Sequence, residues 1–106
     1  MFELGNDIYN IRESIRDLEE ALRQYPSDWM QALIYSELAE CYAHQKLFID
    51  ASFYARSANL SFLKIVDNNT KVDILKLQKI LTDFVDKNEF ERAYLAFDLA
   101  YNNFIR

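Results

Sequence analysis

Gly5 and Pro26 are the only glycine and the only proline among 106 residues. β-Hairpins depend on glycine for the backbone angles of their commonest turns, so a chain this poor in it has little means of linking short strands. The apolar residues point the same way, recurring at intervals of three and four rather than two. Ile8, Ile11, Ile15, Leu18, Leu22 and Tyr25 draw one continuous stripe of this kind. The chain is therefore expected to be all-α.

That first stripe predicts a helix over residues 7–24, stopped by Pro26. Ser27 then stands where an N-cap belongs, its hydroxyl able to accept from a free backbone N–H of a second helix over 28–45. A break at Lys46 and Leu47 precedes a third helix over 48–62, whose Ala51, Ala55 and Ala58 share a face and leave room for another helix to come close. Asp67, Asn68, Asn69 and Thr70 form a polar connector, with Asn69 or Thr70 expected to cap a fourth helix ending at Asp86. Asn88 marks the last turn, because asparagine tolerates left-handed backbone, and a fifth helix follows to Phe104. The domain organisation read from this is a single unit, 1–106, made of an N-terminal helix at 7–26, a hairpin at 28–62 and a second hairpin at 70–104.

With 51% hydrophobic and 15% aromatic residues, the chain has enough apolar material for a core and is not a disordered segment. Seventeen acids against twelve bases give a net charge of −5, which argues against nucleic acid and against anionic membranes as partners. The imbalance is local: residues 1–60 hold ten acids and five bases, residues 61–106 seven of each. A basic partner is expected to favour the first half. Cys41 has no second cysteine to pair with, no apolar run reaches membrane-spanning length, and residues 1–10 lack the pattern of a signal peptide. The expected location is cytoplasmic, without membrane insertion.

Catalytic residue types are scarce. Cys41 and the single histidine, His44, lie three apart on one helix, but two ligands do not close a zinc site. Acidic neighbours such as Glu19 with Glu20, or Glu37 with Glu40, read as solvated helix faces or as partner-facing charge. No catalytic, metal or cofactor residue is assigned, and no enzyme activity or small-molecule substrate is expected. The expected partner is a protein or a second copy of the chain.

Set against itself at an offset of 42, the sequence aligns Leu38, Tyr42, Phe48, Ala51 and Ala58 with Ile80, Phe84, Phe90, Ala93 and Ala100, with Ala39 on Leu81 and Ala55 on Phe97. This order of large and small residues resembles the tetratricopeptide repeat, best over 38–58, with a fainter partial copy in Leu18, Ala21 and Pro26. The family's turn glycine is replaced by Lys46 in one copy and Asn88 in the other, its opening tryptophan is missing, and its period is 34. An excess of eight residues therefore falls between about 61 and 71. The resemblance implies antiparallel helical hairpins in a right-handed array; the alternative is a generic five-helix bundle in which the same residues simply pack.

In such an array the first helix of each hairpin lines a concave surface, which here would carry Leu33, Ser36, Glu37, Glu40 and His44, then Leu75, Gln78, Lys79 and Thr82. That groove suits an amphipathic helix or extended segment with apolar anchors and basic flanks. The fifth helix has apolar residues on two flanks, and Tyr94, Leu95, Phe97, Leu99, Tyr101, Phe104 and Ile105 are expected to meet another chain. The expected function is that of a non-catalytic adaptor or dedicated chaperone covering an apolar helical segment of its partner. In size and acidity the chain is similar to the type III secretion chaperones. Two other readings stay open: an acidic inhibitor or immunity protein blocking a basic site, and a self-assembling structural subunit.

Overall fold

The computed structural model describes residues 4–24 and 27–104, and the side chains of 10–24 and 27–103. It is all-helical over those residues: α1 (Leu4–Gln24), α2 (Asp28–His44), α3 (Phe48–Leu63), α4 (Asn68–Asp86) and α5 (Phe90–Phe104). Tyr25 and Pro26, the expected end of the first stripe and its stop, lie outside the described residues.

Local chemistry sets most of the boundaries. Ser27 is the N-cap of α2, its Oγ accepting from the Met30 N–H at 3.3 Å. The cap of α4 is Asp67, not Asn69 or Thr70; its carboxylate accepts from the Thr70 N–H at 2.8 Å and so draws Asn68 into the first turn. These bonds hold the Asp67 carboxyl below its ordinary range. The connector between the hairpins is only 64–67, and the eight-residue excess resides mainly in long helices, α4 alone having 19 residues.

The two interhelical turns are copies of one another. Leu47 N–H donates to Tyr42 O and Lys46 N–H to Ala43 O; Glu89 N–H donates to Phe84 O and Asn88 N–H to Val85 O. Each turn closes through one residue at φ 60°, Lys46 in the first and Asn88 in the second.

α3 is the centre of the molecule, packed by α2, α4 and α5, while α1 packs on the far side of α2. Ala32 and Ala39 of α2 and Ala51, Ala55 and Ala58 of α3 are wholly buried, which lets these two backbones form the most extensive seam in the fold. The buried hydroxyls of Ser36 and Ser52 donate back to Ala32 O and Ile49 O, both at 2.8 Å. Ala93, Tyr94, Phe97 and Tyr101 of α5 complete the main core with Ile74, Leu77 and Leu81 of α4.

α2 is buried on two sides and α4 on one. Ile34 and Leu38 of α2 are buried outside the main core cluster, on the flank left to α1. In α4 the buried positions Ile74, Leu77 and Leu81 make a single stripe. The correspondence of the two hairpins breaks most sharply at one pair: Leu38 is fully buried, whereas Ile80 is 46% exposed.

Candidate protein-binding site

The groove expected on the first helices has no close packing of α2 on α4 beneath it. The second helices of the hairpins, α3 and α5, pack on each other, and α2 and α4 make no comparable seam. Along α2, Leu33 is half-buried, Ser36 is buried in its bond to Ala32, Glu37 and His44 are exposed, and Glu40 is half-buried. Along α4, Leu75 and Lys79 are exposed, Thr82 is half-buried, and Gln78 is engaged by Asn59.

What α2 lines instead is a pair of clefts, one on each side of its C-terminal half. The first, about 450 Å³, lies against α1 and is bounded by Ile11, Ser14, Asp17, Leu18, Glu37, Glu40, Cys41 and His44. The second, about 340 Å³, lies between α2 and α5 with Phe48 of α3 and has Glu91, Tyr94, Leu95, Asp98 and Asn102 on its α5 side. Glu40 and His44 line both, so this pair of side chains divides two adjacent clefts that together make a trough across α2. His44 Nε2 stands 3.7 Å from Glu40 Oε1.

The trough has an apolar floor and an acidic rim. Ile11, Leu18, Phe48 and Leu95 supply hydrocarbon; Asp17, Glu37, Glu40, Glu91 and Asp98 supply carboxylates, and no lysine or arginine lines either cleft among the described residues. Cys41 reports this field from inside. Burial first, then the Glu37 and Glu40 carboxylates, push its thiol up to about 11, because both effects disfavour a thiolate. Next to it, burial and the nearby Glu19 and Asp50 carboxylates raise the Tyr42 phenol. Tyr42 stacks on Tyr54 with ring centroids 5.5 Å apart, and Tyr35 stacks on the same ring at 6.0 Å. This gives the α2 wall a stiff aromatic backing.

Among the described residues no group of three His, Cys, Asp or Glu side chains is placed to hold a metal ion. Among the same residues no helix is long and apolar enough to cross a membrane.

The expected interface on α5 divides in two. Tyr94, Phe97 and Tyr101 are buried within the fold, where Phe97 and Tyr101 rings lie 5.7 Å apart and Tyr101 meets Phe62 at the same distance. Phe97 and Tyr101 fill the space between α3 and α4, whereas Tyr94 packs on Phe48 and lines the second cleft. Leu95 and Leu99 point outward, 52% and 66% exposed. The Phe104 side chain and Ile105 lie outside the described residues.

Residues 11–18 of α1 and Glu91, Asp98 and Asn102 of α5 are the wall residues that sequence reasoning missed, whereas Tyr94 and Leu95 were already marked for a partner. The signal for the first was present in the acidic excess of residues 1–60; the second needed the knowledge that α5 swings to the α2 side of α3. Compared with models of known protein families, with curated proteins and with solved structures, the chain matches none of them.

Proposed function

We propose that the chain is a non-catalytic protein-binding module, an adaptor or dedicated chaperone built from helical hairpins, that covers an apolar, basically flanked helical segment of a partner protein. The observation that carries this reading is the trough across α2, with hydrocarbon at its floor and five carboxylates around it. Apolar side chains of a partner helix enter the clefts, and lysines or arginines one turn away reach the rim. Subunits of a secretion system that must be kept soluble before assembly are one class of partner with this chemistry.

The test is calorimetric titration with a synthetic amphipathic helix of leucine and lysine, beside a leucine and glutamate control of the same spacing. The lysine peptide is expected to bind, the glutamate peptide to fail, and Leu18→Asp to weaken binding at least ~10-fold by charging the floor. Equal binding of both peptides, or none of either, overturns the reading.

The same rim supports a second reading, an acidic inhibitor that blocks a basic active site. Ionic strength separates the two. A contact made by the rim alone collapses as salt rises, whereas one seated on the apolar floor keeps most of its affinity.

A further inference from the structure

The chain itself carries a helix face of the chemistry that the trough accepts. On α4 the buried stripe of Ile74, Leu77 and Leu81 leaves the opposite side to solvent. That side presents Val72, Leu75 and Ile80, 52%, 55% and 46% exposed, with the exposed Lys76 and Lys79 between them. Asp73 lies at its edge and Asp83 a turn beyond, so residues 72–80 form an apolar ridge with a basic centre.

We propose that the occupant of the trough is the outer face of α4 from a second copy of the chain. The inference rests on the binding mode proposed above and names its partner. Charge complementarity selects the pairing: among the described residues the trough is rimmed by carboxylates without a lysine or arginine, and the α4 ridge sets two ammonium groups among three uncovered hydrocarbon side chains. Both faces gain, since each hides apolar surface and matches its charges in one contact. One chain cannot satisfy itself, because the inner side of α4 is fixed on α3 and α5 while the trough lies across α1, α2 and α5. Every copy offers one ridge and one trough, so the contact closes either reciprocally, as a two-fold dimer, or head to tail, as a ring or filament.

Light scattering on the full chain over rising concentration, at low and high salt, is the experiment. The expected mass rises with concentration above that of the monomer, and salt lowers it only modestly because the contact is seated on the apolar floor. Lys76→Glu with Lys79→Glu, and separately Glu37→Lys with Glu40→Lys, are each expected to lower association at least ~10-fold by setting like charges against each other. An equimolar mixture of the two variants restores it, since every reversed ridge then finds a reversed trough. Thermal melts of both variants separate lost association from lost fold. A monomer at millimolar concentration, a dimer that ignores both reversals, or a mixture that stays monomeric overturns the proposal. The leucine and lysine peptide distinguishes the two failures: if it binds a chain that remains monomeric, only the self-association falls, and if it does not bind, the trough reading falls with it.

Discussion

Asn59 and Gln78 join α3 to α4: the Asn59 amide, 2% exposed, donates to Gln78 Oε1 at 2.9 Å and to the Ile74 carbonyl at 3.1 Å. A buried amide satisfied this way fixes register as well as adding stability, because sliding α4 along α3 would orphan it. Asn59→Ala is expected to destabilise by ~1–3 kcal/mol in denaturant melts. Gln78→Ala should cost less, since the bond to Ile74 survives. The reverse order would mean that the amide is not the pin.

Overpacking should expose the tight seams. Ala51 and Ala93 are 0% and 1% exposed and occupy matching places in the two hairpins. Ala51→Leu and Ala93→Leu are each expected to lower stability by ~1–3 kcal/mol, through displaced helices. Melting unchanged from the wild type in both would contradict close approach at these positions.

Lys46 and Asn88 adopt the same left-handed backbone, but they do so at different cost. A lysine there keeps its Cβ against the following carbonyl, whereas asparagine is tolerated. Lys46→Gly is therefore expected to stabilise by about 1 kcal/mol and Asn88→Gly by less, measured by thermal or urea unfolding.

The raised thiol of Cys41 makes a kinetic prediction. With its ionisation pushed up from 9.0 to about 11, alkylation by iodoacetamide near pH 8 should run roughly 100-fold slower than for a free thiol. Glu37→Gln with Glu40→Gln should recover part of that rate and no more, because burial is the larger cause. The linkage has a definite sign: between about pH 9 and pH 11 the unfolded chain ionises before the folded one, so stability declines across that window. A rate equal to that of a free thiol would place Cys41 outside the field of the rim.

Helix number, type and most ends were legible in the sequence, because they depend on neighbours within a few residues: Ser27 as a cap, Asn88 as a left-handed turn, alanines at a crossing. Asp67 was the local exception, since three adjacent polar residues offered competing caps and the sequence does not rank them. The arrangement of whole helices was not legible. Leu38 and Ile80 are equivalent by spacing, yet one is buried and the other exposed, because burial on two sides of α2 depends on where α1 lies. The trough was half legible: Glu37, Glu40 and His44 were marked for a partner, but the walls facing them come from α1 and α5, not from α4.

α1 rests on α2 and on no other helix to a similar extent, with Ile11, Ile15, Leu18 and Leu22 only half-buried. Amide hydrogens along residues 11–22 should then exchange with solvent at a lower opening free energy than those of α3, which three helices enclose. The helix that walls the first cleft is thus also the first unit to detach as the protein unfolds. A ligand seated between α1 and α2 would slow exchange most in α1, so that protection there reads out occupancy of the cleft.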